Sequence, residues 1–353
     1  MKNKSCIYIP PIIILTLLFY SCESNQNKHS QLFNKNLDLD LDSTKIIRIN
    51  PDGISKEIIY PDLIIDDKFI KSTGDTVYLA KPTSCLIYDE SYYILDSKLN
   101  TIIELDINGN FIKKIGRKGK GPGEFIKPFS IHRTNNYFLV FDQGNGRLQF
   151  FNKNFEYVNF LYANYFSFMQ SLSFNSENLM IPTEMTNTYE IYKIENISRE
   201  KIKMDTLYYF PYASFIKDGH EFPHTIKAKY IGSNSICYFF HSFPFLFFSN
   251  QAGETVLQIE LFGKMIDEIF EYQVSADQRG IAMHLTDIAV IDSRLVIVLG
   301  QKIIIFESLD DKYKIHKIYE IPVEYHLSNI DVIGNYMFTY EWSRARILRF
   351  KLF

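Results

Sequence analysis

Apolar and polar positions alternate in short runs from Ser84 to the C-terminus, with turn residues between them, and this period of two predicts strands. Cys85 to Tyr88, Tyr92 to Asp96, Thr101 to Asp106 and Phe111 to Ile115 form a first group, with the hairpin signal Asn108-Gly109 before its last member. Phe129 to His132, Tyr137 to Asp142, Arg147 to Phe151 and Phe155 to Leu161 repeat the order, so that Asp96 and Asp142 stand at matching places. Looser groups follow near 171–208, 227–260, 285–319 and 327–352. Within the last two, His284-Leu285-Thr286-Asp287-Ile288 parallels His326-Leu327-Ser328-Asn329-Ile330.

A four-strand unit repeated about every 46 residues has the spacing of a propeller blade. The expectation is an all-β, six-bladed β-propeller of four-stranded antiparallel blades over residues 44–353. The sixth unit ends at Phe353 without an outer strand, and an open sheet edge has to be paired or protected. An N-terminal strand, Lys45 to Ile49, is expected to close the ring, and Thr76 to Leu79 reads as a further strand.

Composition supports strands: aromatic residues make up 16% of the 353, with 30 Phe and 24 Tyr, and rings pack well on a pleated surface. A formal charge of −3 argues against a dedicated nucleic-acid binder, which needs a basic face.

The N-terminus carries an address. Lys2 and Lys4 precede the apolar run Ile12 to Tyr20, which is too short to span a bilayer and fits a signal-peptide core. Ser21-Cys22 then resembles a bacterial lipoprotein signal, with Phe19 and Tyr20 departing from its usual residues. The resemblance implies a signal peptide over 1–21, lipidation (palmitate) at Cys22 and a polar tether over 22–43. Acyl chains contribute about 0.8 kcal/mol per buried CH₂ to anchoring. Glu23, rather than Asp, after the cysteine implies the outer membrane. Loss of residues 1–21 removes two lysines and leaves −5 on the mature chain. Cys85 and Cys237 fall on opposite sides of the ring and are expected as buried free thiols.

Asp142-Gln143-Gly144-Asn145-Gly146-Arg147-Leu148-Gln149-Phe150-Phe151 resembles the core of an NHL repeat, with Gly146 in place of the usual His. Ile115-Gly116-Arg117-Lys118-Gly119-Lys120-Gly121-Pro122-Gly123-Glu124-Phe125 is similar to the signature of six-bladed β-propeller lipoproteins of Bacteroidetes. That resemblance implies the fold and an envelope location, and it supplies no catalytic residues.

The glycine-rich run lacks the G-x-x-x-x-G-K-[ST] order and the following helix of a phosphate loop, so its glycines read as backbone geometry. Asp142 with Arg147 reads first as a turn staple. The blade order places Lys227, His284 and His326 at the starts of inner strands, and Asp142, His241, Glu341, Trp342 and Arg344 at the loops after second strands. These face one funnel, where a ligand is expected. The aromatic connection with Tyr208, Tyr209 and Tyr212 offers a platform for sugar or peptide. The reading is a non-catalytic binding or scaffold module for a glycan, peptide or envelope protein. It acts as a monomer held to the membrane by lipid, without nucleic acid, cofactor or metal. The alternative is a metal-assisted lyase or hydrolase around His284 and His326.

Overall fold

The computed structural model describes residues 44–72, 76–162, 173–175, 177–182, 188–198, 202–209, 214–217, 220–223, 226–231, 235–240, 244–250, 253–269, 285–291, 294–309, 312–325 and 330–353. The signal and tether over 1–43, with Cys22, lie outside them.

Six sheets of four or five strands are present. Blade 1 comprises Pro82–Tyr88, Ser91–Asp96, Thr101–Asp106 and Phe111–Ile115, each antiparallel to the next. Blade 2 comprises Ser130–Arg133, Phe138–Asp142, Arg147–Phe151 and Tyr157–Tyr162. Blade 3 runs from Ser173–Phe174 to Thr206–Tyr209, blade 4 from Ile226–Ile231 to Thr255–Leu261, and blade 5 from Leu285–Ile291 to Lys312–Glu320. Blade 6 contributes Ile330–Ile333, Tyr336–Glu341 and Arg346–Lys351.

Second and third strands are mostly apolar because both faces of each are covered, as in Phe138–Asp142 and Phe245–Ser249, where every residue is buried. The apolar side chains segregate into six clusters, each joining two neighbouring blades, and the cluster of blades 6 and 1 (Phe338, Tyr340 and Ile347 with Cys85, Tyr92 and Ile94) completes the circle. Cys85 and Cys237 are buried free thiols on blades 1 and 4, and burial raises both above the ordinary thiol range.

The ring is closed by an N-terminal strand, but a different one from that expected. Leu63–Ile65 pairs antiparallel with Arg346–Lys351 and supplies the fourth strand of blade 6. Lys45–Ile49 instead runs parallel to Thr255–Leu261 as a fifth strand on blade 4. Lys56–Ile58 then lies parallel to Lys312–Glu320 on blade 5. Residues 45–65 therefore form a belt along the outer edges of blades 4, 5 and 6 in turn. The physical reason is burial. Ile65 is fully buried within a core, whereas Lys45–Ile49 has no buried residue and only borders one through Ile49.

The belt is fastened as it turns. Asp52 accepts the amides of Lys264 and Met265 at 2.7 and 2.8 Å and caps a short helix over 264–269. Arg349 holds Asp62 at 2.6 Å. Thr76 to Leu79, expected as a strand, joins no sheet; Val77 and Leu79 are buried and Asp67 accepts the Leu79 amide. A hairpin of Ser214–Lys217 and His220–Pro223 stands in the aromatic connection after blade 3.

Candidate functional site

At the end of each second strand the chain must turn while the connection from the preceding blade arrives, which gathers backbone amides at one point. In blade 2, Asp142 meets them. Its side chain is fully buried and accepts from the Ile126 amide (2.7 Å), Asn145 Nδ2 (2.7 Å), Arg147 Nε (3.0 Å) and Gln149 Nε2 (3.1 Å). Arg147 also donates through Nη2 to the carbonyls of Gly121 and Glu124. The basic glycine-rich connection is thus stitched to blade 2 by this pair. Gly116 has φ +76°, and a Cβ there would lie 2.2 Å from the Phe125 ring, so backbone geometry accounts for it.

Blade 6 repeats the device. Glu341 is buried and pairs with Arg346 and, at 3.8 Å, with exposed Arg344. Acid and arginine stand five apart in both blades, and the residue before the arginine is left-handed in each, Gly146 at φ +59° and Ala345 at φ +48°. Asp96 does the same work in blade 1 by accepting the amides of Ala80, Lys81, Lys98 and Leu99. Asp142, Arg147 and Glu341 are therefore engaged within the framework.

The other expected site residues divide. The side chains of Tyr208, Tyr209 and Trp342, and the whole of His241, His284, His326 and Tyr212, lie outside the described residues. Lys227 belongs to a polar constellation that sequence reading did not assemble. Inner strands pair only on one side, so their side chains reach the ring axis. Lys227 and Lys229 of blade 4 both meet Oδ1 of Asp287 of blade 5, at 3.1 and 2.5 Å. Lys229 also donates to the Ile288 carbonyl at 2.9 Å. Asp331 of blade 6 accepts the Tyr340 hydroxyl and lies 3.1 Å from Ser84 Oγ of blade 1. Ser84 Oγ in turn accepts the Ile131 amide of blade 2 at 3.2 Å.

The electrostatics follow from enclosure. Burial favours the neutral form of Lys227 and lowers it, against the pull of Asp287. For Asp287 burial acts upward, but the two ammoniums outweigh it and hold the carboxyl below the ordinary range. Burial lifts Asp331, against the Tyr340 hydrogen bond. His132 of blade 2 is pushed down to about 3 by burial and then by Lys229. The side chains of Lys227 and Lys229 nevertheless retain 12% and 24% exposure, and His132 and Asp331 are half-buried. Deep enclosure with residual exposure places these groups on the wall of a central channel. The available signal was a charged residue embedded in an apolar inner strand, as in Ile226–Ile231 (IKAKYI) and Leu285–Ile291 (LTDIAVI).

Among the described residues no three His, Cys, Asp or Glu side chains gather as a metal site, and no helix is long and apolar enough to cross a membrane.

Residues 34–166 match a family described as a 6-bladed beta-propeller. No curated protein matches the chain. Among solved structures, a Bacteroides fragilis protein described as exported is 12% identical, with 87% of this chain and 99% of that one covered and a TM-score of 0.50. A catalytically inactive virginiamycin B lyase from Staphylococcus aureus, solved with quinupristin, is 11% identical over 77% of this chain and 95% of that one, TM-score 0.45. A Bacteroides fragilis protein described as a 6-phosphogluconolactonase is 9% identical over 75% and 78%, TM-score 0.47. The sheets, the six inter-blade cores and the family match agree: the chain is an all-β propeller of four-stranded blades.

Proposed function

We propose that the chain is a cell-envelope lipoprotein that acts as a non-catalytic binding module through the loop face and axial channel of its propeller. One observation carries this reading. Polar side chains from five blades converge on the axis (Ser84, His132, Lys227, Lys229, Asp287 and Asp331), while the acids at the second-strand ends are engaged by the framework. A convergent polar set in a concave site is where recognition concentrates in such folds. Ligands suited to the rim are a glycan, a peptide or an envelope protein, with the aromatic connection around Tyr208, Tyr209 and Tyr212 as a platform. The exported description of the Bacteroides fragilis neighbour and the Ser21-Cys22 signal favour the envelope, and Glu23 favours the outer membrane.

The test has two arms. Cys22→Ala is expected to move the protein from the membrane to the soluble envelope fraction, and unchanged membrane retention overturns the anchor. The released chain, run as a monomer on a sizing column, is then screened against glycan and peptide arrays, with Tyr208→Ala/Tyr209→Ala/Tyr212→Ala as control. Specific binding weakened by the triple change supports the rim platform. Turnover of an array member by the wild type, lost in a channel variant, overturns the non-catalytic reading.

A further inference from the structure

One stretch of the surface carries a charge opposite to that of the rest of the molecule. Residues 113–127 hold six cations and one acid, a net +5, while the whole chain carries −3, which leaves −8 on everything else. All six cations, Lys113, Lys114, Arg117, Lys118, Lys120 and Lys127, are exposed. Two are matched: Lys113 lies 3.5 Å from Glu104, and Arg117 lies 2.9 Å from Glu124. Among the described residues Lys114, Lys118, Lys120 and Lys127 make no ion pair. Of the buried acids whose turns the stretch crosses, Asp142 is matched by Arg147. Setting Asp96 and Glu104 against the stretch as well still leaves a surplus of three positive charges.

Lys113 and Lys114 sit on the outer strand of blade 1, which gains no fifth strand from the belt, and lysines on an open edge keep other strands from pairing there. That purpose does not extend to Lys118, Lys120 and Lys127, which stand beyond the strand on the connection to blade 2. The connection is firmly held. The Gly119 amide donates to the Phe125 carbonyl at 3.0 Å and the Phe125 amide to the Arg117 carbonyl at 2.8 Å. The Gly121 amide donates to Glu124 Oε2 at 2.9 Å and the Gly123 amide to Gln149 Oε1 at 3.0 Å. The Lys127 amide is tied to Asn100 Oδ1 of blade 1 at 2.7 Å. These glycine amides are engaged within the fold and form no cradle for an anion, whereas the lysine side chains stand clear of it. Cations spread along an exposed rim, without an amide pocket, suit an extended anionic surface rather than a single phosphate group.

We propose that this rim rests on an anionic lipid surface, with Lys118, Lys120 and Lys127 against the headgroup phosphates. The choice of a lipid partner rests on the lipoprotein reading: a chain tethered at Cys22 meets a bilayer at high local concentration, so a contact too weak to act alone becomes effective. The N-terminal segment joins the described fold at Thr44, whose hydroxyl bonds the Thr255 carbonyl of blade 4. Blade 4 lies across the six-bladed ring from blade 1, so anchor and rim together fix which side of the propeller faces the membrane.

The test is co-sedimentation of the full mature chain carrying Cys22→Ala with phosphatidylcholine vesicles, with and without phosphatidylglycerol. Binding to the anionic vesicles alone, falling as salt is raised, is expected. Each lysine near such a surface contributes about fivefold, so Lys118→Gln/Lys120→Gln/Lys127→Gln should weaken partitioning about a hundredfold, at unchanged Tm. The matching arginine triple should keep it. Lys56→Gln/Lys314→Gln/Lys351→Gln gives the same net charge from exposed positions on blades 5 and 6, and should leave binding in place. No preference for anionic vesicles, or an equal loss in the two glutamine triples, overturns the proposal. Saturable binding of heparin without binding of vesicles overturns the lipid assignment. The chain tested carries no acyl group, so this outcome is read separately from the membrane fractionation that tests the anchor.

Discussion

Blade 2 and the arc of blades 4 to 6 meet the same demand, the burial of charge in a closed ring, by different means. Blade 2 is contiguous in sequence, and its buried acid is saturated from close by: all four donors to Asp142 come from residues 126–149. Blades 4 to 6 borrow. Each takes a strand from residues 45–65, and the acid of blade 5 is held by lysines of blade 4. Local saturation makes a staple that serves only the fold. Charge held across blades leaves part of its surface on the channel, where something else can reach it.

The largest test of this contrast is Asp142→Ala. Removing one member of a buried, hydrogen-bonded pair leaves Arg147, 9% exposed, without its counter-charge and strands three further donors. A loss of about 3–5 kcal/mol is expected, read from urea unfolding of the folded domain. Asp287→Ala is expected to cost less, because its lysines can turn toward channel water. Equal losses would erase the distinction between the two regions.

Ring closure comes next. Ile65 is fully buried between blades 6 and 1, so Ile65→Ala should cost about 2–5 kcal/mol. The loss should appear cooperatively in the whole unfolding transition, since every blade leans on two others. A local change without a lower midpoint would show that the ring does not depend on this strand.

A third effect is a pH dependence confined to the channel. His132 stays neutral in the folded protein down to about 3, while the unfolded chain protonates it near 6.5. Below that value the unfolded state binds more protons, so stability falls as pH drops from about 6.5 toward 3. The ceiling is roughly 5 kcal/mol, and water in the channel reduces it to a fraction. His132→Phe should flatten the acid limb of Tm against pH in that window. An unchanged limb in His132→Phe would place the histidine in ordinary solvent.

How much of this was legible follows from distance along the chain. The Asp142 staple was readable because acid, turn and arginine lie within six residues, and its copy at Glu341 and Arg346 has the same spacing. The blade repeat was readable because buried strands alternate with turn residues. The closing strand was not, because Leu63–Ile65 and Lys56–Ile58 are three residues each, too short for a period to show, and Lys45–Ile49 made the longer and more obvious run. The channel cluster escaped because its members come from positions 84, 132, 227, 229, 287 and 331. Only a register for all blades brings these together. Lys227 was found by its place in an inner strand, but its partners were not.

The smallest expected effect separates closure from decoration. Lys56–Ile58 is a fifth strand on an already complete blade, and all three of its residues are exposed, Ile58 at 65%. Its attachment is a short parallel ladder and the Glu57–Lys317 ion pair at 2.8 Å, and exposed pairs contribute about 0–1 kcal/mol. Ile58→Ala should therefore change stability by no more than about 0.5 kcal/mol, against the several expected at Ile65 only seven residues later. The measurement is the same urea midpoint for both variants. A loss at Ile58 comparable with that at Ile65 would mean that the belt on blade 5 is core rather than cover. Near-neutrality would show that Lys56–Ile58 shields a sheet edge rather than filling a core.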